Sequence, residues 1–453
     1  MNDTIVAMAT SLGEASIHVI RLSGPQSEQI IKSCFLPKNK ERWHRQETYQ
    51  LYLGQFTDED KVIDEVLVSR MLSPHSFTGE DVLEISCHGG LFVAQRILEI
   101  CLKNGARLAE PGEFTKRAFL NGKLDLIQAE AIIDLISAKN EKSADLAISQ
   151  LDGGLSLKIL ELRDHVLEVL AFIEAGIDFP EDDVEELDRD ALNLKLVQGI
   201  NLAEDLLKGS RTGKILREGL LTVIVGQPNV GKSSLLNSLM KEERAIVTDI
   251  PGTTRDEIRE TVNLGGILLQ LVDTAGIRKS LDPIEKIGIE RTWKALAKAE
   301  LILLIIEAGK NLSADERNII EHNSDHVVVL VNKIDAVKNF KAVSPIKNEI
   351  WIPFSVRERI GFKQLEEEVK KRVYKGISEQ TKDPLLSNIR QISALERGLS
   401  SLNNALVSLE AGIPWDILSI DVRQALQDLS EITGQNVQES LLDNIFSRFC
   451  IGK

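Results

Sequence analysis

The sequence predicts a multidomain α/β chain: an N-terminal α+β domain, a discontinuous all-α helical domain, and an α/β domain inserted into it. Three observations predict it. Apolar runs alternate with helical stretches between residues 216 and 377. Apolar residues at helical steps of three and four fill both flanks of that block. The first 120 residues mix strand and helix patterns. The predicted segments are 1–120, 121–215, 216–377 and 378–453.

In the first segment, "ASIHVIRLSG" and "DVLEISCHGG" read as strands ending in turns, and "LFVAQRILEICLKNG" as a helix stopped by glycine. The second segment carries one apolar stripe at Ile159, Leu162, Val166, Val169 and Ile173, and a second at Leu187, Ala191, Leu194 and Val197. The acidic run between them, "DFPEDDVEELDRD", reads as a solvated loop and helix start. In the third segment, "LLTVIVG", "ILLQLVDTAG", "AELILLIIEA", "HVVVLVNKID" and "EIWIPFSV" are strands of a mostly parallel sheet covered on both faces. The last segment returns to helix. One stripe runs through Ile392, Leu395, Leu399, Leu402, Leu406 and Leu409, and another through Leu418, Val422, Leu426 and Leu429 before Gly434. A final helix is expected from "NVQE", with Asn436 as cap and Glu439 three residues on. The two flanking helical blocks are inferred to pack together.

Composition narrows the function. Net charge is −15 and no long basic run occurs, which argues against a broad, self-sufficient phosphate-binding surface. Cys34, Cys87, Cys101 and Cys450 are scattered, so a disulfide framework or zinc site is not expected, and a reducing cytoplasm is. The opening "MNDTIVAMAT" has no signal-peptide pattern, and the longest apolar runs are too short for a bilayer.

The chemistry lies in the third segment. "GQPNVGKSS" follows a strand, precedes an apolar helix, and fits G-x-x-x-x-G-K-[ST] from Gly226 to Ser233. Its backbone amides suit phosphates, Lys232 suits the β- and γ-phosphates, and Ser233 suits Mg²⁺. "DTAG" at 273–276 ends another strand: Asp273 suits Mg²⁺ through a bound water, and the Gly276 amide the γ-phosphate. "NKID" at 332–335 ends a third, where Asp335 can accept from guanine N1–H and its 2-amino group, a donor pair that adenine lacks. "FSVR" at 354–357 stands where a base-contacting loop belongs. The turn-rich "IVTDIPGTTRD" at 246–256 is a switch candidate, with Thr254 reaching Mg²⁺ when a γ-phosphate is present. Ile277 follows the D-x-x-G where small signalling GTPases carry a water-orienting Gln, so another group must orient water. Arg278 and Glu285 are both near, and spacing does not choose between them.

These motifs, with "SFTGEDVLEISCHGG", "PGEFTKRAFLNGKLDLIQAEAIIDLI" and the terminal "FCIGK", resemble the MnmE (TrmE) family of tRNA-modification GTPases over essentially the whole chain. The resemblance implies an N-terminal tetrahydrofolate-binding domain that also dimerises, a helical domain made from both flanks, and an inserted P-loop GTPase (Ras-like) G domain. It implies GTP contacts at Asn229, Val230, Gly231, Lys232, Ser233 and Ser234, at Thr248, Thr253 and Thr254, and at Asp273, Thr274, Ala275 and Gly276. Further contacts are Asn332, Lys333 and Asp335, with Ser355, Val356 and Arg357. Mg²⁺ falls to Ser233 and Thr254, and K⁺ to Asn229, Thr248, Ile250 and Thr253. Glu285 matches the residue that orients the attacking water, with Arg278 a further catalytic candidate.

Folate contacts carry over to Arg21, Glu84, Lys123 and Lys453, with 5,10-methylene- or 5-formyl-tetrahydrofolate as one-carbon donor. The opening "SLGEASIHVIRLSG" is less glycine-rich than is usual in the family. Cys450 is fourth from the end, but Gly452 and Lys453 do not fit a prenylation box. By composition the tail reads equally as a loose end; by resemblance it reaches the folate site, with Cys450 as nucleophile or acid–base. The family further implies a homodimer and a flavoprotein partner, MnmG (GidA), in a heterotetramer. That partner supplies FAD and NADH for an aminomethyl or carboxymethylaminomethyl group at C5 of the tRNA wobble uridine. The competing expectation is a regulatory RNA- or ribosome-binding GTPase without modification chemistry.

Overall fold

The computed structural model describes residues 3–45, 47–178, 187–242, 260–272, 294–337, 350–375, 378 and 384–453. It divides into two compact units: Met1–Ile133 with Leu429–Lys453, and Asp134–Asp428.

The first unit is built on a sheet of seven strands: β1 (Ile5–Met8), β2 (Ile17–Ser23), β3 (Phe35–Pro37), β4 (Gln50–Asp58), β5 (Lys61–Met71), β6 (Val82–His88) and β7 (Arg107–Leu108). Their order is β3-β4-β5-β6-β2-β1-β7, antiparallel except where β7 joins β1. Period-two alternation decides the faces. Ile20, Leu22, Val66, Val68, Leu83 and Ile85 face inward, into a core shared with Ile30, Ile97 and Ile100 from helices Ser27–Cys34 and Leu91–Lys103. Leu36, Leu51, Leu53 and Leu67 are exposed on the opposite face. The helix Glu439–Phe446 packs Leu442, Ile445 and Phe446 on Leu126 and Ala129 within this unit. The expected Asn436 cap is not used. The helix starts at Glu439, and Gln438 is the N-cap without a side-chain bond; the Gln438 carbonyl takes the first helical amides.

The second unit holds six strands: β8 (Leu220–Val225), β9 (Glu260–Leu264), β10 (Ile267–Leu271), β11 (Leu301–Glu307), β12 (Val327–Asn332) and β13 (Trp351–Pro353). The order is β13-β12-β11-β8-β10-β9, and only β9 runs antiparallel to its neighbour. Residues of β11 alternate between two cores: Leu301, Leu303 and Ile305 on one face, Ile302, Leu304 and Ile306 on the other. Burial on both faces is why β8, β11 and β12 read as unbroken apolar runs, whereas the edge strand β9, ETVNL, does not.

The helix Ile389–Glu410 packs on Leu187–Lys208, which packs on Gly154–Asp178, so helices from both flanks of the sheet share one layer. The first stripe holds, with Ile159, Leu162, Val166, Val169 and Ile173 all buried. The second is corrected. Leu192, Leu196, Ile200 and Ala203 are buried, whereas Ala191 and Leu194 are exposed. In a helix with apolar residues on adjacent positions, a one-residue shift turns the stripe by about 100°; here Leu192 and Leu196 face the neighbouring helices. Among the described residues, no helix is long and apolar enough to cross a membrane.

Candidate functional site

The C-terminal ends of β8, β11, β12 and β13 form one edge of the six-stranded sheet, in register at Val225↔Leu304, Glu307↔Asn332 and Val331↔Pro353. The loop after β8 leads into the helix Lys232–Glu242. Gly231 has φ +108, and a Cβ there would lie 2.3 Å from Asn332 Nδ2, so only glycine lets the loop approach the next strand end. Lys232 Nζ donates to the Gly226 and Gln227 carbonyls at 2.7 and 2.6 Å, which folds the side chain back over its own loop. Burial lowers the Lys232 pKa. An anionic group supplying the missing counter-charge would reverse that, which suits a phosphate cradle. Asn229 is exposed with φ +63, an uncommon conformation for a residue with a Cβ. Val230 is buried, and Ser233 and Ser234 are exposed at the helix start.

The other end of the edge is tied together by side chains. Asn332, 3% exposed, donates from Nδ2 to the Val230 carbonyl at 2.7 Å and accepts the Val356 amide at 3.2 Å. It therefore links the glycine loop to the loop after β13. Ser355 Oγ donates to Asp335 Oδ1 at 2.7 Å, leaving an exposed carboxylate held in one orientation, as bidentate base recognition requires. Lys333, at φ +64, pairs with Glu307 at 3.3 Å. Lys310, at 2.7 Å, and then Lys333 hold the Glu307 carboxyl below its usual range. Arg357 is exposed beside Glu358. The edge thus brings together Asn229 to Ser234, Asn332, Lys333, Asp335 and Ser355 to Arg357. Thr248, Ile250, Thr253, Thr254, Asp273, Thr274, Ala275, Gly276, Ile277, Arg278 and Glu285 lie outside the described residues.

A second constellation lies in the first unit. Arg21 on β2 stands opposite Glu84 on β6, and its Nε donates to Glu84 Oε1 at 2.7 Å. Its Nη1 donates to the Gly452 carbonyl at 3.3 Å, and its guanidinium lies 5.8 and 5.7 Å from the rings of Phe77 and Phe114. The tail is not frayed. Phe449 and Gly452 are buried, and the Gly112 amide donates to the Cys450 carbonyl at 3.4 Å. Gly452 has φ +92, and a Cβ there would meet the Met8 carbonyl at 2.4 Å, so the tail closes on the end of β1 only as glycine. Cys450 is exposed and unpaired in any disulfide, and Lys453 is half-buried. Lys123 Nζ donates to the Pro74 carbonyl at 3.1 Å, on the loop that also carries Phe77. In the opening loop, the buried His18 ring contacts Thr10 Oγ1 and the Gly13 carbonyl, each at 2.9 Å; the imidazole does the bracing that extra glycines would not.

The family resemblance names Arg21, Glu84, Lys123 and Lys453 singly, and the sequence does not show what joins them. The Arg21–Glu84 ion pair, the two aromatic faces and the Gly452 carbonyl carry no local signal; strand pairing alone aligns Arg21 with Glu84. The Asn332 bridge was legible only as part of "NKID".

The description "MnmE helical domain" matches residues 126–450, and "GTP-binding protein TrmE N-terminus" matches residues 4–123. A protein of Desulfitobacterium hafniense named "tRNA modification GTPase MnmE" is 64% identical, covering 100% of both chains. Namesakes from Desulforamulus reducens and Alkaliphilus oremlandii are 48% and 46% identical, again over 100% of both chains.

Proposed function

The chain belongs to the MnmE family of tRNA modification GTPases, and from that premise we propose that it hydrolyses GTP in the modification of the wobble uridine of tRNA. The observation that carries the GTPase part is the single sheet edge where Lys232, the Asn332 bridge and the Ser355-held Asp335 converge. Asp335 would accept the two guanine donors, with Ser355 fixing its carboxylate and Asn332 fixing both flanking loops. Lys232 and the backbone amides around Gly231 would hold the phosphates. Ser233 and Thr254 would hold Mg²⁺. Glu285 would orient the water that attacks the γ-phosphate, a task Ile277 cannot perform, with Arg278 beside it in sequence.

Asn229, with Thr248, Ile250 and Thr253, would hold K⁺; the left-handed backbone at Asn229 turns an exposed amide side chain outward at the loop tip. A potassium ion bound there adds positive charge beside the β- and γ-phosphates, as an arginine finger does elsewhere.

In the first unit, Arg21, Glu84, Lys123 and Lys453 would hold a tetrahydrofolate. The fit rests on the donor set. Glu84 offers acceptors to a pterin N–H edge, the half-buried Phe77 ring offers an apolar face beside Arg21, and the basic groups suit the glutamate tail. Cys450 would serve the one-carbon step as nucleophile or acid–base. A partner flavoprotein of the MnmG type would bring FAD and NADH, and the product would carry an aminomethyl or carboxymethylaminomethyl group at C5. The exposed apolar face at Leu36, Leu51, Leu53 and Leu67 supports a homodimer, since a monomer would leave it in water. We assign the segments 1–120, 121–215, 216–377 and 378–453 to the folate-binding, helical, G and second helical parts, in a cytoplasmic protein.

Nucleoside analysis of tRNA from a deletion strain, with and without the gene restored, tests this reading. The expected result is loss and recovery of the wobble modification; an intact modification in the deletion strain would favour a purely regulatory GTPase. Turnover should be much faster in K⁺ than in Na⁺, and equal rates would remove the potassium site.

A further inference from the structure

We propose that the meeting point of the helices Ser210–Glu218 and Phe362–Val373 is the surface that grips the phosphate backbone of the tRNA substrate. The inference rests on the tRNA reading above and names where the chain meets that partner.

Thr212 Oγ1 donates to the Val373 carbonyl at 2.8 Å, a buried bond that brings the start of one helix to the end of the other. Within two residues of that bond stand Arg211, Lys214, Lys371 and Lys375. Arg211, Lys371 and Lys375 are exposed and Lys214 is half-exposed. None of the four makes an ion pair among the described residues. Nearby acids are already engaged: Asp205 with Lys208 at 2.5 Å, Glu366 with Lys370 at 2.8 Å and Glu368 with Arg372 at 2.9 Å. Glu367, one turn before Lys371, pairs with none of them. On a chain of net charge −15, four uncommitted cations around one hydrogen bond are a local departure from the overall field.

The partner this fits is a polyanion read by charge, and RNA rather than a bilayer. A membrane-binding surface needs apolar side chains to insert beside its cations. Here the apolar neighbours Ile215, Leu216 and Val373 are buried, and Tyr374 is half-buried. Arginine and lysine around a rigid contact suit phosphates, which position a nucleic acid without reading its sequence.

The test measures fluorescence anisotropy of the full-length chain with a tRNA transcript carrying wobble uridine, across a salt titration. The R211Q/K214Q/K371Q/K375Q variant should bind about 10- to 100-fold more weakly at low salt, with a log–log salt slope shallower by about three. Its GTP turnover should equal wild type, because none of the four belongs to the nucleotide edge. The charge-keeping variant R211K/K214R/K371R/K375R should bind as wild type does. Unchanged affinity and slope in the glutamine variant would overturn the proposal. So would a wild type that binds no transcript, or a variant that loses phosphatidylglycerol vesicles while keeping tRNA. The nucleoside analysis separates the two levels: modification confirmed with an unaffected glutamine variant sinks this surface alone, whereas modification absent from the chain's repertoire sinks the functional reading itself.

Discussion

In the parallel sheet, the phosphate cradle is one contiguous loop, and Lys232 is held by carbonyls five and six residues away. In the mostly antiparallel sheet, Arg21 meets Glu84 across 63 residues and the Gly452 carbonyl across 431. The first site is made by backbone geometry that a short motif encodes. The second is made by strand register and by a tail that has to dock. A local site tolerates disturbance elsewhere in its unit, but a single lost atom within the loop disables it. A site assembled from distant segments fails by degrees, as each segment comes loose.

The sharpest way to break that contrast is Lys232→Ala. It removes the side chain that reaches back over the cradle, and GTP turnover should fall about 10³-fold, the scale for losing a preorganised electrostatic group. A steady-state phosphate-release assay reads it, and near-normal turnover would mean that the loop does not hold the phosphates. Next in size is Asp335→Asn. Its amide can no longer accept two guanine donors, so GTP affinity should drop about 100-fold, while xanthosine triphosphate, which offers an acceptor at the 2-position, should gain. Titration calorimetry with both nucleotides checks the pair of changes, and unaltered preference would detach Asp335 from the base.

The same contrast explains what was readable in advance. "GQPNVGKSS" could be placed because strand, glycine loop and helix N-terminus are neighbours in sequence. The central strands β8, β11 and β12 are legible because burial on both faces leaves no alternation to misread. The helix Leu187–Lys208 was harder, since Leu192, Leu194 and Leu196 offer two apolar faces and only the packing neighbours decide between them. The Arg21–Glu84 pair could be listed residue by residue from the family resemblance but not seen as a pair, because register is a property of two strands together. The docked tail depends on Gly452 meeting the Met8 carbonyl, and nothing in "FCIGK" announces that contact.

Two alanine substitutions sharpen the comparison at equal chemistry. Gly231→Ala would drive a Cβ to 2.3 Å from Asn332 Nδ2 at φ +108, and Gly452→Ala would drive one to 2.4 Å from the Met8 carbonyl at φ +92. Each should destabilise its surroundings by about 1–3 kcal/mol. The functional consequences should differ. Gly231→Ala should weaken GTP binding about tenfold or more with Cys450 reactivity unchanged. Gly452→Ala should free the tail, raising the alkylation rate of Cys450 and leaving GTP binding intact. Measured together by thiol labelling and nucleotide titration, equal effects on both readouts would refute the separation of the two sites.

The smallest effect concerns protons, and here the units should respond at opposite ends of the pH scale. In the first unit, Asp3 and Glu113 share two arginines: Arg107 lies 2.7 and 2.6 Å from them, and Arg117 2.9 and 3.0 Å. The bond from Arg107 leads the lowering of the Asp3 pKa; for Glu113, burial pushes upward but the bonds from Arg107, the Glu110 amide and Arg117 together carry it below its ordinary value. Folded carboxyls depressed in this way stabilise the unit above their ordinary values of 3.8 and 4.5, and that contribution is lost as pH falls through the folded values. In the second unit, the lowered Lys232 pKa has the same sign in a higher window: the unfolded chain binds that proton more tightly, so the charged lysine costs stability at neutral pH and stability rises as pH climbs toward 10.5. Glu113→Gln keeps the shape but removes the charge, and should lower the melting temperature by about 2–4 °C at pH 7. The gap from wild type should narrow as pH falls below 4.5 and through the lower folded value, where the Glu113 carboxyl takes up its proton. A gap that stayed constant from pH 7 to pH 3 would show that Glu113 stabilises through packing alone, and the arginine-linked proton sensitivity of the first unit would have to be assigned to Asp3.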